Sequence, residues 1–233
     1  MVTLKTSVQP LVDEDPGAVF DHLLALSASR VATATSPLSS RAKAIPLQKE
    51  PTRKYLPEKH REISAVDEVV KRTLRDLVSG KRDWPLFLWG PPGTGKTCAA
   101  LALCDFLRDS QQQFATIADL TARVMDSWKS EHKFDWSAFG PYREKLNDLA
   151  PMSPPKRTGA WLVVLDELGA RTNVTDTHYE CVQRVLDMRE GWPLILISNK
   201  DIAGIGSIYD ARIASRCEAG TVLELKGRDR RLT

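Results

Sequence analysis

From residue 85 onward the chain carries short apolar runs at intervals: Pro85-Leu86-Phe87-Leu88-Trp89, Phe114-Ala115-Thr116-Ile117, Trp161-Leu162-Val163-Val164-Leu165, Pro193-Leu194-Ile195-Leu196-Ile197 and Thr221-Val222-Leu223-Glu224-Leu225. Runs of this length suit strands whose two faces are both covered. Between them the apolar period lengthens to that of a helix. From Ser64 to Val78, residues Val66, Val69, Val70, Leu74, Leu77 and Val78 recur at helical spacing until Ser79-Gly80 ends the pattern. Cys98 to Leu107 is rich in helix formers and free of Pro and Gly, Leu120 to Trp128 predicts a further helix, and Tyr142 to Leu149 another before a Pro-rich loop. Thr177-His178-Tyr179-Glu180 has the form of a capping box, opening a helix that runs through Val182, Val185, Leu186 and Met188 to Gly191. Strands and helices alternating in this order predict an α/β fold, with a five-stranded, mostly parallel sheet and helices on both faces.

Residues 1–60 follow a different pattern. Pro16 to Ser27 carries Val19, Phe20, Leu23, Leu24 and Leu26, and Ala28 to Pro57 is rich in Ser, Ala, Thr and Pro without a periodic apolar face. Too few apolar residues are present there for a core. The expectation is a flexible N-terminal arm over 1–60 with one partner-binding helix, followed by a single domain over 61–233, which suits a chain of 233 residues. The first twenty residues lack a basic start followed by an apolar run, and the longest apolar stretches are strand-sized. Neither a signal peptide nor a membrane span is expected, and the location expected is cytoplasmic.

Charge and cysteines narrow the chemistry only a little. A net charge of +3 does not mark a nucleic-acid binder. Arg41, Lys43, Lys49, Arg53, Lys54, Lys59 and Arg61 against Glu50 and Glu58 make a basic stretch that suits phosphate backbone, an acidic partner or plain solvation. Cys98, Cys104, Cys181 and Cys217 form no C-x-x-C pair, which argues against a zinc site and a disulfide framework.

One octapeptide changes the picture: Gly90-Pro91-Pro92-Gly93-Thr94-Gly95-Lys96-Thr97. It fits the phosphate-loop pattern G-x-x-x-x-G-K-[ST], which chance alone supplies in about one chain in a hundred of this length. Gly90 and Gly95 allow the backbone to approach phosphate oxygens, while successive N–H groups and the following helix N-terminus supply partial positive charge. Lys96 would bridge β- and γ-phosphates and Thr97 would take a Mg²⁺ position, so ATP and Mg²⁺ are the cofactors expected. Downstream, a strand ends in Asp166-Glu167. Asp166 suits Mg²⁺, directly or through water, and Glu167 suits polarisation of an attacking water, which favours hydrolysis over transfer to a small acceptor. The next strand ends Ile197-Ser198-Asn199-Lys200, and the Asn199 amide could hold that water and a γ-phosphate oxygen without shifting the pKa of Glu167.

With G-P-P-G-T-G-K-T, Leu165-Asp166-Glu167-Leu168-Gly169, Tyr179 through Arg189 and Ser198-Asn199, the chain from about residue 64 to 233 resembles the AAA+ ATPases. Within them it is similar to the DnaC-type helicase loaders and the IstB-type transposition helper ATPases. The resemblance implies a RecA-like AAA+ core and makes Asn199 the sensor 1 residue. Ser215-Arg216-Cys217 looks like the segment bearing an arginine finger, implying Arg216, with Arg212 the rival. Gly227-Arg228-Asp229-Arg230-Arg231 resembles the sensor 2 segment, implying Arg231; here Asp229 stands where Ser is usual, and Arg228 and Arg230 compete for the role. Only eight residues follow Leu225, so no C-terminal helical lid is expected, as in that branch. The activity implied is Mg-dependent ATP hydrolysis in a nucleotide-dependent homo-oligomer. By the same resemblance, its partners would be single-stranded DNA and a replicative helicase gripped by the N-terminal arm. Alternatives are a transposition helper and a nucleotide-gated adaptor with little turnover.

Among the six tryptophans, Trp84, Trp89, Trp161 and Trp192 lie at strand ends, where packing is expected. Trp128 and Trp136 bracket an aromatic, mixed-charge stretch that suits either a single-strand contact or helix packing. No histidine has a partner at ligand spacing, so no metal besides Mg²⁺ is expected.

Overall fold

The structure, a computed structural model, describes residues 66–106, 112–131, 133–141, 143–145 and 156–229. The arm expected over 1–60 lies outside the described residues, as do Arg230 and Arg231.

Helix α1, Glu68–Val78, starts where the Asp67 side chain accepts from the Val69 N–H at 2.9 Å, satisfying one of the donors that a helix N-terminus leaves open. Strand β1, Leu86–Trp89, follows, then helix α2, Lys96–Phe106, and strand β2, Gln112–Thr116. At Thr116 the hydroxyl accepts from the Asp119 N–H at 3.0 Å, and this cap starts helix α3, Ile117–Trp128, three residues before the apolar period alone would place it. After a 3-10 turn at Trp136–Phe139 come β3, Arg143–Lys145, and β4, Lys156–Thr158. The central strand β5, Leu162–Leu168, leads to α4, Asp176–Met188, then β6, Leu194–Ser198, α5, Ile202–Ile208, α6, Ala211–Glu218, and β7, Thr221–Glu224. Thr175, not Thr177, caps α4, accepting from the His178 N–H at 3.3 Å.

The five-stranded sheet runs β2-β5-β6-β1-β7, parallel throughout, which is the α/β architecture expected. Alternation along the strands divides the core in two. Leu86, Leu88, Phe114, Leu162, Val164, Ile195 and Ile197 pack on one face with Val70, Leu74 and Leu77 of α1 and Ala99 through Ala102 and Cys104 of α2. On the other face, Phe87, Ala115, Val163, Leu165, Leu194 and Leu196 meet α3, α4, α5 and α6 through Leu120, Val124, Val182, Val185, Ile205, Ile213 and Cys217. Among the described residues no helix is long and apolar enough to cross a membrane.

Of the helix predicted over 142–149, the described residues 143–145 form strand β3 instead, which pairs with β4 in an antiparallel ribbon. The register sets Glu144 opposite Arg157, and an isolated parallel bridge joins Pro141 to Ala160, just before β5. Eight residues make too short a helix to persist without packing, whereas β3 satisfies its backbone groups by pairing with β4. At the base of this ribbon sits Arg189, 1% exposed and given no separate role by the sequence reading. Its guanidinium donates to the carbonyls of Gly140 at 3.2 Å, Ala160 at 2.8 Å and Trp161 at 2.9 Å, and to that of Pro193. Burial lowers its pKa to about 10, so it stays charged while tying the starts of β5 and β6 to the ribbon.

Trp84, Trp89 and Trp161 are partly buried against the core as expected. Trp192 is 41% exposed, because the chain turns at Gly191 before β6 begins. Trp136 packs edge-on to Phe134 at 4.8 Å beneath the Arg184 guanidinium at 4.6 Å, which answers its case in favour of packing. Trp128, at the end of α3, is 64% exposed.

Candidate functional site

The sheet order brings the carboxyl ends of β1, β5 and β6 together, and the crevice beyond such ends is where open parallel sheets bind ligands. The β1–β6 register pairs Trp89 with Ser198, so Gly90 and Asn199 leave adjacent strands side by side. Thr116 of β2 pairs with Asp166 of β5 on the far side.

Between β1 and α2 runs the loop Gly90–Gly95. A Cβ on Gly90 would lie 2.2 Å from the Leu225 carbonyl oxygen, where the backbone passes β7, and φ there is 145°; only glycine fits. Lys96, 5% exposed, donates from Nζ to the carbonyls of Gly90 and Pro91, both at 2.7 Å. Thr94 is buried and its hydroxyl donates to Pro91 O at 3.0 Å, while Pro91 and Pro92 are exposed. The ammonium thus lies within the curve of the loop.

Thr97, in the first turn of α2, donates from its hydroxyl to Asp166 Oδ2 at 2.7 Å. The other carboxylate oxygen accepts from the Glu167 N–H at 2.7 Å. Asp166 is 4% exposed, and burial pushes its pKa from 3.8 up to about 6, against the opposing hydrogen bonds of Thr97 and Glu167 and the attraction of Lys96. A hydroxyl and a carboxylate in contact, with burial disfavouring the bare carboxylate charge, form a hard-oxygen donor pair that suits Mg²⁺. The raised pKa fixes a sign. The neutral carboxyl's advantage in the folded state is complete below pH 3.8 and is lost as pH rises through 6, costing about 3 kcal/mol once both states are ionised. Asp166→Asn should therefore stabilise the metal-free, nucleotide-free chain, by a margin that grows between pH 4 and 7 and is flat above. Urea unfolding of parent and variant across that range measures it; a margin independent of pH would contradict the assignment.

Glu167 is exposed and has φ of 63°, the left-handed region that non-glycine residues seldom occupy. The β5–β6 register holds to Leu165, then shifts so that Leu168 faces Ser198, and Glu167 stands in the irregularity. Such a bulge re-aims a side chain out of the strand's alternation. Ser198 pins this arrangement, donating to Leu168 O at 2.7 Å and accepting from the Lys200 N–H at 2.9 Å, which leaves Asn199 exposed at the strand end.

Gly90 through Thr97, Asp166, Glu167 and Asn199 therefore converge. Arg216 does not join them: in α6, it forms an ion pair with Asp187 of α4. Arg212 is exposed on the same helix, and nearby the Tyr179 hydroxyl donates to Asp210 Oδ2 at 2.7 Å. Arg231 lies outside the described residues, and Arg228 is exposed. One residue that sequence reading gave no role does reach the loop: Asp229, whose side chain lies against Gly93. Its only signal was the acidic residue standing where the resembling segment usually has Ser.

No family model matches the chain. A replication factor C small subunit of Pyrobaculum arsenaticum is 30% identical over 165 residues, 70% of this chain and 44% of that protein. The chain thus spans less than half the length of the curated relatives it matches. Among solved structures, the replication initiator DnaA bound to AMPPCP and single-stranded DNA superposes with a TM-score of 0.53 at 19% identity, covering 75% of this chain and 52% of that one. DnaI superposes with a TM-score of 0.51 at 19% identity, covering 76% and 94%. These likenesses are of fold.

Proposed function

We propose that this chain, whose fold is that of the AAA+ ATPases, binds and hydrolyses Mg-ATP in the crevice beyond β1, β5 and β6. In this reading it works in DNA replication as a helicase-loader-like protein on single-stranded DNA. The observation that carries the reading is the 2.7 Å contact from Thr97 to Asp166, which joins the phosphate loop to the acidic strand end. That contact brings a phosphate cradle and a cation-binding carboxylate to one point, as phosphoryl transfer to water requires.

Each residue then has a task. The loop from Gly90 to Gly95 presents N–H groups to the phosphates, and Lys96 supplies charge to the β- and γ-oxygens. Thr97 and Asp166 would hold Mg²⁺, which would supply charge neutralisation to the triphosphate. Glu167 accepts a proton from the attacking water, and Asn199 orients that water and a γ-oxygen. Arg216 acts across a subunit boundary, and Arg231 is assigned to sensor 2.

The replication context draws on the relatives: replication factor C subunits, DnaA with single-stranded DNA, and DnaI. The test is steady-state phosphate release by the full chain alone, with single-stranded DNA, and with duplex of equal length. Stimulation by the single strand supports the loader reading. Stimulation by duplex alone would favour a transposition helper, and tight ATP binding without turnover an adaptor.

A further inference from the structure

After β7 the chain turns back across the phosphate loop. An ideal Cβ on Gly93, where φ is 78°, would lie 2.8 Å from the Asp229 Cα and 1.8 Å from its Oδ1. Backbone and carboxylate of Asp229 therefore rest on the face that Gly93 leaves bare. This loop, with its N–H groups, the start of α2 and the enclosed Lys96 ammonium, is built to receive an anion. The Asp229 carboxylate lies against Gly93, a residue of that loop, and so stands beside the place a phosphate would take. The neighbouring Lys226 pairs with Glu224 at 3.2 Å, so the tail's first cation is turned toward β7.

We infer that Asp229 is a built-in anion on the phosphate loop, and that nucleotide phosphates enter only as the Lys226–Asp229 tail moves off it. The inference rests on reading the loop as a triphosphate site. Two anions in contact within a half-buried cradle repel, so the state with Asp229 docked and the state with phosphate bound exclude one another. A contact that stabilises the first weakens binding in the second by the same factor. Nucleotide occupancy is thereby converted into the position of the tail, which carries the exposed Arg228. A Ser at position 229 would leave the cradle uncharged.

The test uses the full chain with Asp229→Asn, which keeps size and removes charge, and Asp229→Ala. Fluorescent ATP and tripolyphosphate should bind both variants about tenfold more tightly than the parent, with adenosine unchanged. Intact-mass analysis of trypsin cleavage after Lys226 and Arg228 gives a second readout that does not depend on turnover. Cleavage should be faster in Asp229→Asn than in the parent without ligand, and tripolyphosphate should accelerate it in the parent. Variants that bind tripolyphosphate no better than the parent, or cleavage that neither the substitution nor the ligand changes, would overturn the inference. If ATP binds to none of the chains, the ATP reading fails, while tripolyphosphate binding and cleavage still decide the role of Asp229.

Discussion

Glu167→Gln is expected to leave Mg-ATP bound at parental affinity and to slow phosphate release by about 10² to 10⁴-fold. The amide has the size of the carboxylate but cannot take the proton of an attacking water, so binding and chemistry separate. The backbone adds a second, independent expectation. With φ of 63°, Glu167 sits in the left-handed region, which costs a residue bearing a Cβ about 1 to 2 kcal/mol. Glu167→Gly removes that cost, offset in part by the greater freedom glycine has in the unfolded chain. The glycine variant should thus unfold at higher urea concentration, with a gain of about 1 kcal/mol, while losing turnover. A glycine variant less stable than the parent would mean that the conformation is unstrained.

Arg216→Ala should bind ATP normally and turn over about 10³-fold more slowly, the loss expected when an arginine that stabilises transition-state charge is removed. The ion pair with Asp187 does not oppose this role. Both side chains are partly exposed, at 31% and 41%, and pairs of that kind contribute about 1 kcal/mol or less. In the proposed assembly, Arg216 would leave this pair for a γ-phosphate presented by a neighbouring subunit. If, as proposed, each site takes Glu167 from one chain and Arg216 from another, mixing Arg216→Ala with Glu167→Gln should restore part of the lost hydrolysis. Some boundaries in the mixture then carry both native residues. Failure of rescue at every mixing ratio would remove Arg216 from action in trans.

The central strands β1, β5 and β6 are legible because their apolar runs are buried on both faces, and the places of the loop and of Asp166 follow as the ends of two of them. Element boundaries were less so. Thr116 and Thr175 moved the starts of α3 and α4, since a cap is chosen by which hydroxyl meets a free N–H and not by apolar period. Strand β3 falls inside the helix predicted over 142–149 because its partner β4 lies beyond a Pro-rich stretch of sequence, and pairing that is distant along the chain leaves no local trace. Arg189 gave no signal either: its four acceptors are backbone carbonyls brought together only by the fold. In the site, the left-handed Glu167 and the Asp229 contact were both invisible in composition. The first depends on a register shift against β6, and the second on where the chain goes after β7.

Titrating Mg-ATP into the parent and into Lys96→Ala, with phosphate release followed in the same samples, decides whether Lys96, Thr97, Asp166 and Glu167 form one Mg-ATP site. The parent should bind ATP and release phosphate. Lys96→Ala should lose about 100-fold in affinity, the worth of two charge-assisted hydrogen bonds to phosphate, and show no turnover, with its unfolding transition retained. A Lys96→Ala chain that binds and hydrolyses ATP like the parent would mean that the phosphate loop is not the nucleotide site.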